Sequence, residues 1–295
     1  MYKGILYMLL SSLCFALINI CVKILANSGN LFPGIQEYPV HELVFFRSII
    51  SLTICAAIIQ RKQIPFFGNN KKWLLIRGAA GVTALTCFFF TLKHLPIAIG
   101  TTIQYLSPIF TVIFAIYLQK QKVRGMQWVY ILISLSGVAI LGYFKDENFD
   151  FEYHWFFLGL FSAIVAGIAY NAIIKCRDTD EPVTVVMYFP LLATPIMLVA
   201  CFIWGFVVPQ GIEWVLLLLI GTLTQIAQLT MTRAFHSDTA AKVTPIKYVG
   251  AIYAVSAGYF IFDEELGLYS AIGISLILLG VLLNTVLKEK KVMKS

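Results

Sequence analysis

Five basic side chains lie inside long apolar stretches of this sequence, namely Lys23, Arg47, Arg77, Lys242 and Lys247. A charge at the centre of a bilayer costs about 2.5–3.5 kcal/mol on insertion scales, so such residues are expected to face a cavity or a partner. Within a cavity, Lys and Arg bind the carboxylate or phosphate groups of a ligand. Four of these cations, Lys23, Arg47, Lys242 and Lys247, are therefore weighed as candidates for a binding site.

Lys247 is the strongest binding candidate among these cations. If its span begins near Thr239, Lys247 lies about 12 Å along the helix at 1.5 Å per residue, close to the middle of a bilayer. Lys242 lies only three residues inside the same boundary. Its long side chain can therefore reach water, and we predict a structural role for it.

Arg47 and Lys23 are two further binding candidates. Arg47 follows Glu42 by five residues, so an internal ion pair remains open as an alternative to substrate contact. Lys23 lies near the end of the first apolar stretch, and Asn19 one turn earlier faces the same way on a helix. Glu42 is the one carboxylate well placed near these cations, while Glu213 sits at the end of a stretch. This balance of charges predicts an anionic substrate.

Uncharged polar and aromatic side chains complete the predicted substrate site. Those selected within the apolar stretches are Phe46, Thr101, Gln104, Tyr105, Tyr170, Asn171, Gln225, Gln228 and Tyr248. Hydrogen bonds between helices are the competing explanation for the polar members. Pro108 and Pro245 occupy comparable places in the two halves of the chain and interrupt helical hydrogen bonding. Such paired breaks indicate a carrier site with gating helices, although kinks that serve only packing are an open alternative.

The composition requires a lipid environment. Hydrophobic residues make up 59% and charged residues 13% of the 295 residues, whereas soluble domains have about 45–50% and about 25%. The six cysteines show no metal-ligand spacing, and the sequence contains no nucleophile elbow, P-loop or clustered metal motif. We therefore predict an integral membrane protein in contact with lipid. No catalytic residue, cofactor, metal or nucleic-acid partner is expected.

Ten apolar stretches approach the roughly 20 residues of helix that a bilayer span needs. They cover residues 4–26, 41–60, 73–93, 97–119, 125–144, 154–176, 183–206, 211–233, 239–262 and 267–287. The predicted fold is therefore all-α, a polytopic bundle of ten transmembrane helices with short connections.

The distribution of basic residues orients these spans. With the connections assigned alternately to two sides, fifteen Lys and Arg residues fall on the side of the N-terminus and two, Lys93 and Lys145, on the other. Cytoplasmic loops collect Lys and Arg, so both termini are predicted to be cytoplasmic. The expected location is the inner (plasma) membrane of a bacterium.

The two halves of the chain are similar to each other. Residues 96–141 align with residues 238–283 at an offset of 142 that becomes 143 near the end, and Gly125 then falls on an identical residue. The first span of each half also carries an Asn followed four residues later by a Lys. Five spans is an odd number, so the second copy must enter the membrane from the opposite side. We predict an inverted repeat with five-helix units at residues 1–146 and 147–295.

Four segments resemble the EamA-like family of the drug/metabolite transporter (DMT) superfamily, and the resemblance covers essentially the whole chain. They are HELVFFRS at 41–48, LKHLPIAIGTTIQYLSPIFTVIFA at 92–115, LTMTRAF at 229–235 and TAAKVTPIKY at 239–248. The resemblance implies two inverted five-helix repeats around a central cavity. The second-half pattern is similar to carriers that include S-adenosylmethionine uptake proteins. The family often has Gly-Glu near the end of the fourth span, where this sequence reads YLQKQKV, so no gating acid is expected there.

Together these features predict a secondary carrier that moves a small metabolite by alternating access. The substrate is expected to carry a carboxylate or phosphate, as an amino acid or S-adenosylmethionine does. A lipid or lipid-precursor translocase of the same fold is the alternative. A multidrug exporter is disfavoured, because lipophilic cations would require a membrane carboxylate. Transport direction, coupling ion and oligomeric state are left open.

Overall fold

A computed structural model describes residues 3–27, 32–119, 125–143, 152–237 and 246–292, and within these ranges every regular element is an α-helix. The helices are α1 Lys3–Ala26, α2 Val40–Lys62, α3 Lys71–His94, α4 Ile97–Gln104, α5 Ser107–Gln119, α6 Gly125–Tyr143, α7 Tyr153–Lys175, α8 Pro182–Trp204, α9 Glu213–Ser237, α10 Val249–Ile261 and α11 Leu268–Val292. The prediction of an all-α chain is confirmed for the described residues.

The lengths of the helices identify a polytopic membrane protein. Seven segments of the described chain are long and apolar enough to cross a membrane, and α4 together with α5 forms one of them. Three shorter apolar helices, Trp128–Leu141, Val249–Ile261 and Leu268–Leu283, lie within α6, α10 and α11. The ninth predicted span overlaps α10, but residues 238–245, which include Lys242, lie outside the described ranges.

The fourth predicted span is broken into two helices. α4 ends at Gln104, α5 begins at Ser107, and Tyr105 and Leu106 form the turn between them. Pro108 is the second residue of α5, where it has no N–H to donate to the carbonyl of the preceding turn. The break therefore lies where the sequence predicted it. The matching Pro245 falls outside the described ranges.

Helices from opposite halves of the chain pack against each other. The main pairs are α1 with α9, α3 with α7, α2 with α8, and α6 with α11. In the last pair the backbones approach closely, since a Cβ added to Gly137 would lie 2.7 Å from the carbonyl oxygen of Gly273. Small residues allow such close packing of membrane helices. Large side chains such as Phe202 and Phe260 remain exposed on the outside, where a lipid environment would cover them.

Candidate functional site

A cavity of about 120 Å³ lies between the two halves of the bundle. Its walls come from α1 to α4 in the first half, and from α7, α8, α9 and the segment before α10 in the second. The polar and charged lining residues are Ser12, Asn19, Arg47, Arg77, Thr101, Gln104, Tyr105, Tyr170, Gln228 and Lys247. Most of the residues selected from the sequence are thus brought together in one place.

Arg47 is almost completely buried, with 2% of its surface exposed. Its guanidinium carbon lies 5.4 Å from the ring centroid of Phe89 and 5.5 Å from that of Phe189. Among the described residues, no carboxylate lies within ion-pair distance of it. Cation–π contacts contribute about 0.5–2 kcal/mol each, but they leave the positive charge uncompensated.

Arg77 is a cavity residue that the selection from the sequence omitted. It is buried on α3 and donates from Nη2 to Oε1 of Gln228 on α9 at 3.2 Å. A Cβ at Gly81, one turn later, would collide with the guanidinium, so the glycine leaves room for it. Arg77 also lies close enough to Arg47 for the two charges to repel. The signal was present in the sequence, because an arginine inside a span is costly unless it faces a cavity.

Lys247 lies just before α10, at the wall of the cavity. Its Nζ donates to the phenolic oxygen of Tyr170 on α7 at 2.7 Å. A hydroxyl accepts such a hydrogen bond without neutralising the ammonium group. The contact joins the segment before α10 to α7 and holds a third positive charge at the cavity.

The uncharged lining residues are held by hydrogen bonds and ring contacts. Oε1 of Gln104 lies 3.0 Å from the hydroxyl oxygen of Ser162. Thr101 donates to a carbonyl of its own helix at 2.7 Å. The rings of Tyr105 and Tyr248 meet edge to face with centroids 5.5 Å apart. Tyr248 is buried, and its ring supports Tyr105 at the cavity wall.

Five of the selected residues do not belong to the lining of this cavity, namely Lys23, Phe46, Asn171, Gln225 and Tyr248. Phe46 packs in a cluster of aromatic rings near the start of α9. Asn171 donates to the carbonyl of Thr111 on α5 at 3.0 Å. Gln225 accepts a hydrogen bond from Ser51 on α2 at 2.6 Å. Asn171 and Gln225 thus form hydrogen bonds between helices, which was the alternative to substrate binding in the sequence analysis.

Lys23 joins several elements at one end of the bundle instead of lining the cavity. Its Nζ donates to the carbonyl of Leu95 at 2.7 Å and lies 3.8 Å from Oε1 of Glu264. Glu264 accepts a hydrogen bond from the N–H of Ile97 at 2.9 Å. Burial raises the pKa of the Glu264 carboxyl above its ordinary value, while Lys23 and this N–H act in the opposite direction. The cluster ties α1 to α4 and to the connection after α10.

A second carboxylate joins connections at the same end. Glu213, at the start of α9, accepts hydrogen bonds from Tyr38 and from the N–H of Gln36, both at 2.6 Å. Burial, followed by the neighbouring Glu213, raises the pKa of the Tyr38 phenol, which keeps it protonated as a donor. Glu42 accepts from a backbone N–H of the connection between α8 and α9 at 2.9 Å. The ion pair between Glu42 and Arg47 that the sequence left open is therefore not formed.

A bundle of membrane helices around a charged internal cavity is the architecture of a membrane transporter. The EamA-like transporter family matches residues 2–143 and again residues 154–286, so the chain belongs to this family. The pseudopaline exporter of Pseudomonas aeruginosa is 29% identical over 265 residues, covering 89% of this chain and 88% of that protein. The S-adenosylmethionine uptake transporter of Rickettsia prowazekii is 20% identical over 292 residues, covering 97% and 96%.

A solved protein structure supports the same fold, with a TM-score of 0.64 at 17% identity and coverage of 96% of this chain and 98% of that one. The predicted family and the similarity to S-adenosylmethionine uptake transporters are confirmed. Because the matching family is a transporter family and the described helices are long and apolar enough to cross a membrane, the chain is an integral membrane transporter.

Proposed function

We propose that the protein is a secondary carrier that moves a small metabolite bearing an anionic group by alternating access. The observation that carries this proposal is the cation group, Arg47, Arg77 and Lys247, in a cavity whose described lining includes no Asp or Glu. Carboxylates and phosphates form the strongest hydrogen bonds with such cations. An amino acid or S-adenosylmethionine would supply a carboxylate of this kind, and relatives transport S-adenosylmethionine.

Reciprocal hydrogen bonds between the halves support an inverted repeat. Ser11 on α1 donates to the carbonyl of Ala227 on α9 at 2.9 Å, and Ser162 on α7 donates to that of Ala84 on α3 at 2.7 Å. Ala84 and Ala227 are 143 residues apart, within one residue of the offset of 142 at which the sequence alignment begins at residue 96. The first helix of each half therefore contacts the third helix of the other half in the same manner.

Close contacts at glycines also occur at corresponding positions of the two halves. Gly78 on α3 faces the backbone of α8, and Gly221 on α9 faces α2. Gly137 on α6 faces α11, and Gly280 on α11 faces α6. Both pairs of glycines are 143 residues apart. Inverted repeats of this kind provide two related packings, with the substrate site near the midplane between them.

The cavity must widen during transport. Its volume of about 120 Å³ is below the roughly 300–1,000 Å³ of typical ligand pockets. The clusters around Glu264 and Glu213 tie the connections together at the end of the bundle opposite the N-terminus. We propose that this end is extracytoplasmic and that both termini are cytoplasmic. Opening these clusters would then expose the site to the extracytoplasmic side.

Uptake into proteoliposomes tests the proposal. A substrate is first selected by a thermal-shift screen of a metabolite panel, since a bound ligand stabilises the folded form. Replacing Arg77 or Lys247 with Gln is then expected to reduce saturable uptake about tenfold or more, because a hydrogen bond to a charged group contributes about 1.5–3 kcal/mol.

The matched control is Arg61→Gln, which removes an exposed arginine at the end of α2 and is expected to leave uptake unchanged. Uptake that is unchanged when Arg47, Arg77 or Lys247 is replaced with Gln would contradict the proposal. Transport of a labelled lipid that water-soluble metabolites do not inhibit would favour the lipid translocase instead.

A further inference from the structure

Three positive charges face one cavity from different elements. Arg47 lies on α2, Arg77 on α3 and Lys247 before α10, so both halves of the chain contribute. Arg47 and Arg77 interact electrostatically, and Arg77 and Lys247 both interact with Tyr170. The cations therefore form one connected group around a shared space.

The hydrogen-bond and ring partners of these cations are neutral groups in the part of the chain that the structure describes. Arg47 lies beside two phenylalanine rings, Arg77 donates to the amide of Gln228, and Lys247 donates to the phenol of Tyr170. These contacts orient the side chains and leave the formal charges in place. Of the lining residues that the structure describes, none is acidic. A ligand with one carboxylate would leave most of this positive charge without a counter-charge in a site shielded from water, which is unfavourable.

We infer that the substrate carries at least two anionic groups, carboxylate or phosphate, which are bound jointly by Arg47, Arg77 and Lys247. The inference rests on the proposed carrier function and narrows its substrate class. It disfavours zwitterions with one carboxylate, such as a neutral amino acid, and cations such as S-adenosylmethionine. Arg77 is the specificity-determining residue of the three, because it interacts electrostatically with Arg47 and shares the neighbour Tyr170 with Lys247.

Thermal-shift titrations of the purified, full-length protein test this inference with matched probes. Succinate and butyrate share a four-carbon chain but carry two carboxylates and one. Glycerol 3-phosphate and glycerol differ by a phosphate. Each titration is run at constant ionic strength against sodium chloride alone. The half-maximal concentration is expected to be at least about tenfold lower for the more highly charged member of a pair.

Arg77→Gln is expected to reduce this preference, while the exposed control Arg61→Gln retains it. Equal half-maximal concentrations within both pairs, including no response to any probe, would overturn the inference. The comparison of the probes on the wild-type protein tests the inference even if a variant fails to fold. Butyrate and succinate could also stabilise the wild type equally, with both effects lost in Lys247→Gln. That result would exclude a substrate with two anionic groups and leave the carrier proposal standing. Uptake indifferent to all three cations would instead contradict the carrier proposal itself.

Discussion

Two lysine–glutamate pairs of the protein have the same chemistry in different surroundings. Lys23 and Glu264 are both buried and lie 3.8 Å apart, with further bonds to backbone groups. Lys93 and Glu37 lie 3.7 Å apart, but their side chains are 24% and 54% exposed. Solvent screens the second pair and not the first, so the two pairs are expected to respond differently to the loss of one charge.

Replacing Lys23 with Met is expected to lower the free energy of unfolding by about 3–5 kcal/mol, because it leaves the Glu264 carboxylate buried without its partner. Lys93→Met is the control and should cost at most about 1 kcal/mol. The double variant with Glu264→Gln should recover part of the loss. Thermal unfolding in detergent measures the stability of each variant. If Lys23→Met and Lys93→Met lowered the stability equally, the distinction between a buried and a screened ion pair would be refuted.

Tyr170 is predicted to be a positioning residue for Lys247. Tyr170→Phe removes the acceptor of the hydrogen bond from the charged Nζ, a contact worth about 1.5–3 kcal/mol, so the KM for uptake should rise about tenfold or more. The maximal rate should change less, because the cation itself remains. Tyr259→Phe, at an exposed ring on α10, is the control. A purely structural role for Tyr170 would lower the amount of folded protein without raising KM.

At the scale of elements, the contact between α6 and α11 depends on glycine. A Cβ at Gly137 would lie 2.7 Å from the carbonyl oxygen of Gly273, and one at Gly280 would lie 2.6 Å from that of Tyr130. The helices cannot approach this closely with a larger residue at either place. The two positions are related by the proposed repeat, so the same substitution should have similar effects at both.

Gly137→Ala and Gly280→Ala are each expected to destabilise the protein, because overpacking costs about 1–3 kcal/mol against a gain in helix propensity of up to about 1 kcal/mol. Gly125→Ala is the control, since nothing lies within 4 Å of a Cβ there, and it should be neutral or stabilising. Unfolding temperatures in detergent provide the measurement. The packing described would be contradicted if Gly125→Ala lowered the unfolding temperature while Gly137→Ala and Gly280→Ala did not.

At the scale of the whole molecule, the proposed topology places both termini in the cytoplasm. A fluorescent protein that matures only in the cytoplasm should be fluorescent when fused to either end. Alkaline phosphatase, which is active only outside the cytoplasm, should be inactive at both. Opposite results at the two ends would mean an odd number of spans, and the inverted five-helix units would then be untenable.

The sequence by itself determined that this is a helical membrane protein of the EamA-like family. Apolar stretches of about 20 residues form helices in lipid whatever their neighbours, because each helix satisfies its own backbone hydrogen bonds. The predicted spans therefore overlap the observed helices, and the break at Pro108 follows from a missing N–H. Even the cations of the cavity were visible as charges in apolar surroundings, with Arg47 and Lys247 selected on that ground.

Only the tertiary structure decided which of these polar groups share a cavity. It placed Arg77 in the lining, Lys23 beside Glu264 at one end of the bundle, and Gln225 in a bond to Ser51. The partners in these contacts are more than 100 residues apart in sequence. The direction in which a buried side chain points depends on how its helix is rotated against helices of the other half, and no local pattern of residues records that rotation.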